Sequence, residues 1–332
     1  MYPVGVTRRS EALVVVLVLL VFLPACRPVG SVVSPGSFDG WESLSLQNGS
    51  AEVVVVPAIG RVMRFRLLDD PSGRPFWQHP AIGPGMAGDE NGWINFGGDK
   101  AWPAPQAAWA AMAGKGWPPP RTFDAVAHTA TVEGGAIVML SPVDPAYGLR
   151  VRRRIALDAT APVLSIETTF EKVQGPPVQV AVWTITQLAP PSRMVAVLPA
   201  RSAFAGGHRR VMPAAPLNLA LAGGRLSLER DPREKTMIAT DADRLEWHGD
   251  ESDRVDLIVE NRSAAPATGA VWSDGAHSQI YTNPDGPDAY VELELLGPLH
   301  DLAPGQSASL TSRYELRRRD LPGQAQLVKG RR

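Results

Sequence analysis

Two glutamates, Glu292 and Glu294, stand in the run Tyr290-Val291-Glu292-Leu293-Glu294-Leu295-Leu296. On a strand, successive side chains point to opposite faces, so Tyr290, Glu292 and Glu294 share one face and Val291, Leu293 and Leu295 the other. Two carboxyl groups facing a cleft can work as general acid and base; facing water they are a solvated face. By the same alternation Trp183 and Gln187 share a face, and Thr184 and Thr186 share the opposite one. Asp99 and Lys100 follow Gly97-Gly98, where opposite charges either serve a ligand or brace the loop. Trp102 and Gln106 suit a stacking platform and a hydrogen-bond partner, and Arg61 after Gly60 could act as a forked donor. The histidines, His79, His128, His208, His248, His277 and His300, are scattered. His277, between Trp272 and Tyr281, is the one nearest the C-terminal strands and the best placed to titrate at a site. The run Arg152-Arg153-Arg154 reads as a solvated face. There is no zinc-type spacing of His and Cys and no EF-hand loop. There is no Gly-rich phosphate loop and no Gly-x-Ser-x-Gly elbow. The sequence therefore calls for no metal and no cofactor.

The elements that must carry these residues are strands. From Ala51–Val56 onward, short runs with period two or β-branched content recur, among them Arg61–Leu68, Leu149–Leu157, Val163–Phe170, Val178–Leu188, Tyr290–Leu296 and Ser307–Leu316. Turn residues separate them, and no stretch sustains a helical period. The most helix-like piece is Gln106–Gly114. This pattern predicts an all-β fold, a large antiparallel β-sandwich in one domain over about residues 37–320. No repeat of fixed period suggests a propeller. Asp89–Pro120, with Trp93, Trp102, Trp109 and Trp117, reads as an ordered loop packed over one face of the sandwich.

The N-terminus carries Arg8 and Arg9, then the apolar run Ala12–Leu23, then Leu23-Pro24-Ala25-Cys26. These are the parts of a secretory signal. The last four resemble the lipobox of bacterial lipoproteins, which implies cleavage after residue 25 and lipidation of Cys26, the only cysteine. Residues 26–36 are then a tether and 321–332 a polar, basic tail. Arg27 in place of an aspartate leans the sorting toward the outer membrane of the cell envelope. A net charge of −1 gives no electrostatic footprint for nucleic acid.

Four segments carry a resemblance to a known family. Asn95-Phe96-Gly97-Gly98-Asp99-Lys100-Ala101-Trp102-Pro103-Ala104-Pro105-Gln106 resembles the signature of the bacterial DUF4380 family. Pro57–Val62, Trp183–Leu188, and Glu292–Leu299 with Leu302–Gly305 resemble its other segments in order. The resemblance covers about residues 45–318. It implies the galactose-mutarotase-like (aldose 1-epimerase-like) supersandwich and a concave sheet that holds a carbohydrate, lined by Arg61, Asp99, Lys100, Trp102, Gln106, Trp183 and Gln187. In mutarotases a histidine and a glutamate act as acid and base. The glutamate corresponds to Glu292 or Glu294, but the middle strand, Val182–Gln187, carries no histidine. The expectation is a carbohydrate-binding envelope lipoprotein lacking the usual epimerase pair. An epimerase-like enzyme using Glu292 or Glu294 with an acid from His277 or Asp99, and an interaction or scaffold lipoprotein with no activity, are the alternatives.

Overall fold

The computed structural model describes residues 30–319 except 71, 73, 213–216, 251–252 and 265–267. The signal, Cys26 and the tail after 320 lie outside the described residues. Two large antiparallel sheets face one another. The first has eleven strands. It runs Val32–Phe38, Trp41–Gln47, Ala51–Val56, Arg61–Leu67, Asp99–Ala104, Val178–Leu188, Val291–Leu296, Ser278–Thr282, Thr236–Thr240 and Arg209–Arg210, with His300–Leu302 beside Val178–Leu188. The second has ten and centres on Val255–Asn261, Ser307–Arg318, Val163–Lys172 and Leu149–Leu157. Helix is confined to short pieces, as the sequence required.

The strands form where alternation permits burial of one face on the opposing sheet. Leu149–Leu157 alternates strictly between buried and half-buried residues. Val53, Phe65, Ile155, Ile166, Phe170 and Leu310 belong to the core enclosed by the two sheets. Each such side chain contributes roughly 1.5–3 kcal/mol on full burial.

Two expectations fail on strand placement. Val32–Phe38 is an edge strand paired with Trp41–Gln47, although its Pro35 and Gly36 conceal the period and the tether was expected to extend to residue 36. Asp99–Ala104, expected inside a loop, is a central strand. It pairs over six positions with Val178–Leu188 but only at Val62–Asp99 with Arg61–Leu67. A proline lacks the amide a ladder needs, and Pro103 is tolerated on a strand whose one flank is so sparsely bonded. The helix-like piece forms as expected, as a short turn at Gln106–Ala108 followed by a helix at Trp109–Ala113, closed by Gly114.

Candidate functional site

The central strands of the eleven-stranded sheet place Lys100, Trp102, Trp183, Gln187, Glu292 and Glu294 on the face turned away from the second sheet. Register fixes this: Trp183 lies opposite Trp102, Gln187 opposite Glu292, and Ile185 opposite both Lys100 and Glu294. Gly97 and Gly98 make the entry to the Asp99–Ala104 strand feasible. Their φ values are 89° and 72°, and a Cβ would come within 2.3 Å of the Trp77 carbonyl oxygen and 2.5 Å of that of Val62. The tight approach lets the Gly98 amide donate to Trp77 and its carbonyl accept from Gln187.

The floor is a sealed polar cluster. Glu294 accepts a hydrogen bond from the Trp183 indole at 2.7 Å. Burial, followed by the neighbouring charge of Glu292, pushes the Glu294 carboxyl well above the usual carboxylate range, which favours its protonated form. Glu292 lies 3.5 Å from the Lys100 ammonium. The ammonium also stands over the rings of Trp102, 4.5 Å from the centroid, and Trp93, at 5.5 Å. Burial lowers the Lys100 pKa, against the opposing pull of Glu292. Asp124, at the end of the Arg121–Asp124 turn of helix, ties the wall together. It accepts from Arg61 at 2.7 Å, from the Trp102 indole at 2.9 Å and from the Trp93 indole at 3.1 Å.

Several of these groups lack hydrogen-bond partners among the described residues. Both amide atoms of Gln187 are buried without one, as are Lys100 Nζ and Asn95 Oδ1. Gln187 is 0% exposed and Lys100 1%. The Tyr290 hydroxyl approaches Gln187 without closing a well-formed bond to its amide. Burial raises the Tyr290 phenol well above its ordinary value. Next to this cluster, and meeting it at Trp93 and Tyr290, lies a cleft of about 550 Å³ whose lining also includes His79, Asn95, Lys235 and Asp288. Trp77 packs on Tyr290 with ring centroids 4.8 Å apart. His79 Nδ1 accepts from the Ala81 amide, which leaves the ring proton on Nε2, 3.3 Å from Asp288.

Three of the nine expected site residues sit elsewhere or act differently. Asp99 points into the space between the sheets, because alternation turns it away from Lys100. There it pairs with Arg153 and accepts from Thr186 at 2.8 Å and Tyr314 at 2.7 Å. Arg153 is consequently not part of a solvated face; it is buried, while Arg152 and Arg154 stay half-exposed. Gln106 is exposed on its turn and lies outside the cluster. Arg61 shares the cleft side of the sheet, but its guanidinium is fully enclosed by Asp124 and the Gly97 carbonyl. It braces the wall, its donors committed to Asp124 and the Gly97 carbonyl. His277, a further candidate, stacks on Trp272 at 4.1 Å and faces Asp243, in a separate groove. The residues missed from sequence are Trp77, His79, Asp124 and Asp288, together with Trp93, Asn95 and Tyr290, which were noted but not assigned. No local pattern marks Asp124, whose Arg61 partner lies 63 positions away. Asn95 heads the Asn95–Gln106 block and could have been taken with it.

Two broad antiparallel sheets, one carrying a polar and aromatic cluster across its central strands, define the galactose mutarotase-like class of fold. A galactose mutarotase-like protein from Lactobacillus casei superposes with a TM-score of 0.54 at 9% identity, covering 83% of this chain and 100% of that one. A galactose mutarotase related enzyme from Lactobacillus acidophilus gives 0.53 at 10% identity, over 83% and 97%. The Slr1438 protein from Synechocystis gives 0.55 at 12% identity, over 86% and 99%. The chain belongs to the family described as Domain of unknown function (DUF4380), whose model matches residues 41–317. No curated protein matches its sequence.

Proposed function

We propose that this protein binds a carbohydrate in the cleft beside Lys100, Gln187 and Glu292, and does so as a lipoprotein of the bacterial cell envelope anchored through Cys26. The observation that carries the binding reading is the set of unpartnered polar atoms. Lys100 Nζ and Gln187 Nε2 are donors; Gln187 Oε1 and Asn95 Oδ1 are acceptors. An anion would answer only the donors. A hydroxyl both donates and accepts, so the hydroxyls of a sugar can answer both kinds. A buried polar group without a partner costs about 1–3 kcal/mol, and ligand binding would offset that cost. Trp93, Trp77 and Tyr290 supply faces for the C–H surface of the ring. The fold supports the reading only as analogy, since one fold hosts many functions.

A second reading, a sugar-active enzyme of the epimerase type, is favoured by the raised pKa of the Glu294 carboxyl beside Glu292. His79, whose Nε2–H borders the cleft, supplies a histidine that the middle strand lacks. A glycan array on the full chain identifies the ligand, and NMR of anomer interconversion then separates the two readings. Binding without accelerated interconversion selects the binding protein. Interconversion abolished by Glu294→Gln, with binding retained, selects the enzyme. No binding to any glycan sinks both.

A further inference from the structure

A buried amine set beside two carboxyl groups goes beyond what holding a sugar requires. Lys100 is the unusual member. It is 1% exposed, its ammonium makes no hydrogen bond, and two indole rings wall it in. Lys172, also buried, differs: its ammonium donates to the Tyr147 carbonyl at 2.6 Å. The charged and titratable groups facing Lys100 are Glu292 and Glu294 from the strand next but one, Arg61 from the adjacent strand and Asp124 from the short helix. Arg61 is neutralised by Asp124 at 2.7 Å, which leaves Glu292 as the base within reach of Lys100. Trp93 both lines the cleft and stands 5.5 Å from Nζ.

We infer that Lys100 is a carbonyl-capturing amine, which condenses with the aldehyde of an open-chain reducing sugar to form an iminium. This rests on the carbohydrate reading of the cleft. Glu292 takes a proton from the ammonium, freeing the nitrogen lone pair. The amine attacks the aldehyde carbon, a C–N bond forms, and the carbonyl oxygen takes the proton of Glu294. The nitrogen returns a proton to Glu294. Glu292 then protonates the hydroxyl, which leaves as water while the nitrogen lone pair forms the C=N bond. One ammonium and one aldehyde become one iminium and one water, and the carboxyl pair ends with the proton it began with. A lysine desolvated by burial is suited to this chemistry because its neutral form is favoured.

The test is reductive trapping on the full chain. Protein is incubated near neutral pH with glyceraldehyde and cyanoborohydride, and adducts are mapped by mass spectrometry. Lys100 is expected to be alkylated at least about tenfold faster than Lys115, which is exposed. Lys100→Arg should abolish the fast adduct. Labelling of Lys100 no faster than Lys115, or a fast adduct that persists in Lys100→Arg at Lys235 on the cleft rim, overturns the proposal. A methyl glycoside cannot open to an aldehyde. If it binds calorimetrically while no fast adduct forms, this inference falls alone; if neither is seen, the carbohydrate reading falls with it.

Discussion

Gln187 is the residue at which the proposed binding and the stability of the fold pull apart most directly. Its amide is fully enclosed and makes no side-chain hydrogen bond among the described residues. Gln187→Leu, of similar volume, removes an unpartnered buried amide. The ligand-free variant should therefore be more stable by roughly 1–3 kcal/mol, seen as a raised urea midpoint at unchanged slope. A drop in stability would mean that the amide is satisfied in solution. His128 gives a second residue-scale expectation. Burial depresses its pKa from 6.5 to about 4. The folded protein thus favours the neutral ring, and stability present above pH 6.5 is lost as pH falls toward 4. The loss attributable to this group is at most about 3 kcal/mol. Denaturant titrations of wild type and His128→Gln across that window should converge toward pH 4. A constant difference between them would contradict the assignment.

The strand pattern was readable wherever one face is buried and the other is not. Leu149–Leu157 and Val163–Lys172 are examples, because period two survives composition. Asp99–Ala104 was not readable as a strand. Its residues are buried on both faces and a proline interrupts it, so neither alternation nor propensity marks it. The same strand explains the errors at the site. The charges Asp99 and Lys100 were legible as important, but only their being on a strand sends them to opposite faces, one to the inter-sheet network and one to the cleft. Trp183, Gln187, Glu292 and Glu294 lie on one face of the sheet, because alternation fixes each pair and the strand register joins the pairs. Asp124 and His79 come to the site through long-range packing and carry no local signal. The element-scale prediction concerns Gly98. Gly98→Ala forces a side chain into the Val62 carbonyl at a left-handed φ of 72°. It should destabilise the fold by more than the roughly 1 kcal/mol that glycine replacement costs in unstrained positions. A thermal midpoint within error of wild type would show that the strand entry is not constrained as described.

At the scale of the whole molecule, the two sheets supply a rigid platform, and the Trp77–Asn95 stretch and the turn bearing Asp124 supply the walls. The proposed anchor, Cys26, lies outside the described residues. Cys26→Ser offers no thiol for acylation, so the variant should move from the detergent phase to the aqueous phase in partitioning. Equal partitioning of both forms would remove the lipoprotein proposal without touching the cleft. The cleft itself is tested by calorimetric titration of wild type and Gln187→Leu with the methyl glycoside of whichever sugar the array selects. Saturable binding to wild type, weakened about tenfold in the variant by loss of a buried hydrogen-bonding group, is the predicted result. Equal affinity in the two proteins, or no saturable heat with wild type, would contradict a sugar held at Gln187.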